Sequence, residues 1–182
     1  NQLGSATAHI SDGLPSAQRA ASHYQALLDS RLSSNNTTRG QWLELCVYDS
    51  LVHRGIEPDR IHYGKERTYR ITKVDSIYRA EVDIIVTPRQ NGKYFCLYCK
   101  SSVRERWAQA DRAAMIVNRG LLAKKSTHVL VIVQEQPEQS MTSIWKLVTS
   151  TTQAFVKDGI DRMLSIRQSD AYNGLLDEIL AQ

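Results

Sequence analysis

The sequence predicts an α/β domain, a central mixed β-sheet flanked by helices, and three patterns carry that expectation. Two segments of helical period are followed by short stretches of alternating apolar and polar residues. A further helical segment then leads into "THVLVIVQ", a continuous apolar run of the kind found in a strand covered on both faces. The chain has 182 residues, 42% of them hydrophobic, which suits one compact domain with a sizeable core and is short for two. One domain over 1–182 is therefore expected, with a core at about 38–134.

Residues 1–15 hold Gly4, Gly13 and Pro15 among Ser and Thr, show no sustained period and read as a loose lead-in. From Ser16, Ala20, Tyr24, Leu27 and Leu28 recur at helical spacing, predicting an N-terminal helix over 16–32. The run "SSNNTT" is a polar break whose threonines suit the cap of a helix "RGQWLELCVYDSLVHRG" ending near Gly55. After Pro58, "RIHYG", "TYRITKVDSIY", "EVDIIVTP" and "KYFCLYCK" read as three or four strands, with Asn91 and Gly92 marking a turn before the last. "VRERWAQADRAAMIVNRG" returns to helical spacing through Val103, Trp107, Ala110, Ala114 and Val117. Residues 140–182 look mostly helical, broken near Gly159 and again near Asn173 and Gly174.

The charge balance narrows function only mildly. Lys and Arg number 23 against 19 Asp and Glu, a net +4 that accommodates a polyanionic partner without demanding one. Three cysteines without a secretory signal pattern favour free thiols in a reducing compartment, so a cytoplasmic protein is expected. No apolar run approaches the ~20 residues of a membrane-spanning helix. The chain begins with Asn rather than Met, compatible with a processed or trimmed chain that lacks upstream sequence.

The chemistry concentrates in "EVDIIVTPRQNGKYFCLYCKSSVRERW", residues 81–107. Alternation puts Cys96, Tyr98 and Lys100 on one face of the last strand and Phe95, Leu97 and Cys99 on the other; Glu81, Asp83 and Ile85 share a face of the preceding strand. A hairpin then aims Asp83 and Lys100 the same way at the open end of the sheet. A carboxylate and an ammonium on rigid backbone suit metal-assisted phosphodiester hydrolysis, one as an oxygen ligand for Mg²⁺, the other to orient or activate water. On these two residues alone an ordinary strand-end ion pair is the stronger reading. Glu44 lies on the helical stripe of Val47, Tyr48 and Leu51, so its carboxylate is directed toward the sheet and needs a partner, with Arg54 or Arg70 as the structural option. Arg104 and Arg106 follow Lys100 closely, as cations suited to phosphate oxygens or as a solvated first turn.

Together these residues resemble the PD-(D/E)XK nuclease superfamily, and within it the type II restriction endonucleases. The family core of helix, three strands, helix and strand is similar to the order over residues 38–134. Gly40 and Glu44 match its Gly-x-x-x-Glu helix pattern, Asp83 its metal-binding aspartate and Lys100 its final lysine; "CKSSVRERW" is similar to the run after that lysine in several restriction enzymes. Val82 stands where proline is frequent. Tyr98 occupies the acidic position two before the lysine, and a phenol with a reference pKa near ~10 is a poor Mg²⁺ ligand.

The resemblance implies a Mg²⁺-dependent endonuclease acting on double-stranded DNA as a homodimer. Asp83, Glu44 and the backbone carbonyl of Cys99 would hold the metal, and Lys100 would position water. Arg104 and Arg106 would steady the phosphate. Because some members supply the second carboxylate from a helix, Glu44 leads as the substitute for the missing acid, with Glu105 and Asp111 behind it and Glu81 and Tyr98 as secondary members. A junction resolvase such as those cutting Holliday junctions shares this core and chemistry, and a catalytically inactive DNA-binding module is the rival that Tyr98 makes credible. Cys96 and Cys99 form a C-x-x-C whose members would face opposite sides of a strand, so they read as buried small hydrophobes rather than ligands. No P-loop, dinucleotide glycine pattern or HExxH is present, and the five histidines show no ligand spacing.

Overall fold

A computed structural model describes residues 15–30, 36–63, 81–101, 106–119, 125–133 and 159–182. Its elements in chain order are α1 (Ser16–Asp29), α2 (Asn36–His53), a 3-10 turn (Pro58–Arg60), β1 (Ile61–Tyr63), β2 (Ile84–Val86), β3 (Tyr94–Lys100), α3 (Arg106–Arg119), β4 (Ser126–Ile132), β5 (Arg162–Ser165) and α4 (Ser169–Leu180). The strands form one five-stranded sheet in the order β1-β2-β3-β4-β5. β1, β2 and β3 are an antiparallel meander, whereas β4 runs parallel to β3 after the α3 crossover and β5 parallel to β4. The fold is thus α/β with a mixed sheet flanked by helices, as the sequence predicts.

Each face of the sheet carries its own core. Ile84, Val86, Phe95, Leu97, Cys99, Val129 and Val131 face α1, α2 and α4, while Ile85, Cys96, Tyr98, Leu130 and Ile132 face α3. The alternation expected of β3 is therefore present, and Cys96 and Cys99 lie on opposite faces. All three cysteines are buried free thiols. Burial pushes Cys96 up to about 12 and moves Cys99 the same way, so they act as apolar filler. β4 sits between β3 and β5 with both faces covered, which is why its apolar run is unbroken.

Local chemistry fixes the element ends. α2 closes on Gly55 at φ 97°, with Gly55 N–H donating to the Val52 carbonyl (2.9 Å) and Ile56 N–H to that of Leu51 (3.1 Å). That is a Schellman cap, completed by Leu51 and Ile56 in one core cluster. α2 begins at Asn36, so the threonines proposed as caps fall inside its first turn. β2 is shorter than "EVDIIVTP" suggests. Val82 packs with the α3-side core although alternation would turn it away, so the strand breaks at Asp83 and starts at Ile84.

The C-terminal reading needs two corrections. Residues 162–165 are a strand rather than helix; Ile160, Met163, Leu164 and Ile166 imitate helical spacing, but they straddle a short parallel edge and feed both cores. Asn173 and Gly174 do not break the last helix. Tyr172, Leu175, Leu176 and Ile179 form its buried stripe, Gly174 lies on its exposed face, and Asn173 Oδ1 accepts the Ala17 N–H (3.3 Å), satisfying a free amide in the first turn of α1. The proposed strand at 68–78, the first 14 residues and the helical pattern at 140–158 lie outside the described residues.

Candidate functional site at the carboxyl end of β3

Asp83 sits on the bend before β2, and both of its recorded contacts fall on one oxygen. Its Oδ2 accepts the Cys99 backbone N–H at 2.6 Å and the Lys100 Nζ at 2.9 Å. Since Ile84 pairs with Leu97, Cys99 extends past the end of β2, and the Asp83 side chain takes the place of a ladder partner there. N–H and C=O of one strand residue point to the same side, so the Cys99 carbonyl opens toward this end as well. Asp83 and Lys100 are 15% and 20% exposed, buried enough to hold their geometry and open enough to meet a ligand. Burial draws the Lys100 ammonium down, but the Asp83 charge and hydrogen bond outweigh it and leave Lys100 above its ordinary value.

Glu44, on α2, lies close enough for its charge to be felt at this end of the sheet. Its charge acts on Lys100, on the Cys99 thiol and on Tyr63, the three groups that Asp83 also influences, so both carboxylates bear on one end of the sheet. Glu44 is half-buried at the margin of the α2 stripe, one turn before Tyr48. Arg54, offered as its structural partner, pairs instead with Asp177 on α4. Arg70 lies outside the described residues.

Tyr98 shares the α3 face of β3 with Lys100, but its hydroxyl is committed to a core partner rather than to this site. It is buried on the α3 side, where its hydroxyl meets His128 Nδ1 at 2.9 Å. His128 Nε2 is 3.1 Å from Asn118 Oδ1 and 2.9 Å from Ser126 Oγ. An amide oxygen only accepts, so the hydrogen resides on Nε2 and Tyr98 donates to Nδ1. Burial raises Tyr98 well above the usual phenol range and pushes His128 down to about 4. The tyrosine in the acidic position thus belongs to a core network, and nothing in the sequence marked His128 as its partner.

Asp111 is remote. It is 3% exposed, and its Oδ1 accepts the Ile160 N–H at 3.0 Å. By register Ile160 lies about five residues below Lys100 along the strands, roughly 16 Å. Glu81 is exposed before the bend. Arg104 and Glu105 fall outside the described residues, and Arg106 is the first residue of α3.

Among the described residues no group of three or more His, Cys, Asp or Glu side chains gathers as a metal site. A hard divalent ion such as Mg²⁺ needs fewer, since it keeps several waters and takes one or two carboxylates. By donor chemistry, carboxylate and carbonyl oxygens such as those of Asp83, Glu44 and Cys99 are of the kind such an ion takes; Asp83 Oδ2 is already committed to Lys100 and Cys99. Comparison with protein-family models, with curated proteins and with solved structures finds no match to this chain. Among the described residues no helix is long and apolar enough to cross a membrane.

Proposed function

We propose that the protein is a Mg²⁺-dependent DNA endonuclease of the restriction type, acting as a homodimer in the cytoplasm. The observation that carries this reading is the convergence of the Lys100 ammonium and the Cys99 N–H on one Asp83 oxygen, with the Glu44 charge bearing on the same groups. The meander leading into a parallel β4 through α3 supports it, because it is the strand order that the sequence resemblance implies.

Asp83, Glu44 and the Cys99 carbonyl would hold the ion. When bound it supplies a Lewis acid that offsets charge developing on the phosphate. Lys100, tied to Asp83, holds a water and orients it for in-line attack on phosphorus. Arg104 and Arg106 then hold the phosphate oxygens.

Purified Lys100→Ala protein is expected to bind DNA and fail to cut it with Mg²⁺ present. Undiminished cleavage by that variant would remove the assignment. One observation favours a second reading, a silent DNA-binding module: Asp83 Oδ2 is satisfied by the protein itself, as in a purely structural strand-end pair. Absence of divalent-ion binding in calorimetry would select it. Preference for branched over linear DNA would select a junction resolvase.

A further inference from the structure

Tyr63, the last residue of β1, has no role in the reading above, yet it stands among the groups of that site. It pairs with Ile84, which directly follows Asp83, and shares the α2 face with Ile84 and Leu97. Its ring lies against Tyr48 of α2, with centroids 5.4 Å apart and planes tilted by 35°. Tyr48 is one helical turn after Glu44, so Tyr63 rests under the Glu44 end of α2 on one side and beside the Asp83 bend on the other. Both carboxylates act on it electrostatically. The side chain is half-buried, and its hydroxyl makes no hydrogen bond among the described residues. Tyr63 is thus a phenol whose ring is held by Tyr48, near enough to both carboxylates to feel their charge, with its hydroxyl bonded to neither.

We propose that Tyr63 is a further substrate-contacting residue of this site, its hydroxyl donating a hydrogen bond to a non-bridging oxygen of the bound phosphodiester. The inference rests on the nuclease reading and adds a residue to it. A neutral donor suits this position, since a fixed cation there would compete with a divalent ion for the same carboxylates, and a third carboxylate would repel the phosphate. Burial and the neighbouring negative groups push the phenol up to about 12, so it remains a donor across the neutral range. The contact with Tyr48 fixes the ring and lowers the entropy lost when the hydroxyl meets its acceptor.

Tyr63→Phe tests this because it removes only the hydroxyl and keeps the ring contact. Three quantities are measured on the full chain: the thermal unfolding midpoint, DNA affinity with Ca²⁺ in place of Mg²⁺, and the single-turnover cleavage rate over a Mg²⁺ titration. The expected result is an unchanged midpoint, an unchanged Mg²⁺ midpoint, weaker DNA binding and a rate lower by roughly 10- to 100-fold. A variant equal to wild type in affinity and rate, while Lys100→Ala is inactive, overturns the role of Tyr63 and leaves the nuclease reading standing. A shifted Mg²⁺ midpoint with unaltered Ca²⁺-supported affinity would make Tyr63 a support for the ion's ligands and also overturn it. Wild-type protein that neither binds nor cuts DNA removes both.

Discussion

At the scale of single residues, the same side-chain type does different work according to what surrounds it. Asp83 and Asp111 are both largely buried carboxylates that accept backbone amides; Asp83 does so beside the Lys100 ammonium at the end of β3, and Asp111 does so at the lead-in to β5. Asp111 closes against the lead-in to β5, where a side chain at Gly159 would run into its carboxylate. Their substitutions should therefore separate. Asp111→Asn is expected to lower stability by about 1–3 kcal/mol, since it weakens the acceptor for a buried N–H, with little effect on cleavage by the protein that remains folded. Glu44→Gln is expected to do the reverse. It keeps shape at a half-buried position, so the urea midpoint should hold, but it removes charge from the proposed ion site and should abolish Mg²⁺-dependent cleavage. Urea titration and cleavage over a Mg²⁺ series for both variants check this. Full activity in Glu44→Gln, with a large loss in Glu105→Gln, would show that the second carboxylate comes from the later helix.

At the scale of elements, the sequence is most legible where one physical signal dominates. The α2 stripe, the alternation of β3 and the two-sided burial of β4 follow from periodicity alone, and Gly55 from the φ that a Schellman cap requires. Gly55→Ala should cost about 1 kcal/mol through that φ of 97°, with no clash to add because the space around it is open. A destabilisation near zero in chemical unfolding would mean that the cap relaxes. Legibility fails where tertiary partners decide. β5 is four residues long and exists because it pairs with β4, and Asn173 reads as a breaker until the first turn of α1 is seen to need its oxygen. The proposed site divides in the same way: the Asp83–Lys100 pair follows from strand alternation and a hairpin, whereas the partner of Tyr98 lies 30 residues away and no local pattern announces it. The start of α3 carries one more expectation. If Arg104 and Arg106 each hold a phosphate, replacing both by Ala should weaken binding to all sequences alike. The slope of log affinity against log salt should then fall by about 2, and an unchanged slope would take them out of the interface.

At the scale of the whole molecule, the sheet divides the interior into unequal halves that answer differently to acid. The side under α1, α2 and α4 holds the larger apolar cluster, with Ser50 bonded to the Tyr172 hydroxyl inside it. The side under α3 is smaller and built around a polar chain from Tyr98 through His128 to Asn118 and Ser126. The residues facing this chain include Asp161, whose Oδ2 accepts the His128 backbone N–H at 2.7 Å and whose charge favours a protonated ring, and Asp111 on α3, whose charge reaches Tyr98. Burial outweighs Asp161 and holds the imidazole down at about 4 against an ordinary 6.5. The direction of the pH effect follows. As pH falls below 6.5 the unfolded chain takes up a proton that the folded His128 refuses, so its contribution to stability is complete above 6.5 and is lost progressively toward 4. The loss amounts to about 3 kcal/mol over that window. Protonation would also place a hydrogen on Nδ1, so the Tyr98 hydroxyl would have to accept there instead of donating. Urea midpoints from pH 7 to 4 for wild type and His128→Gln, together with the His128 ring resonances, measure the loss of stability. The wild type should lose stability over this range more steeply than the variant, and its His128 ring should stay neutral until the pH nears 4. Parallel curves for the two proteins, or a ring that titrates near 6.5, would show that the α3-side core opens to water at His128.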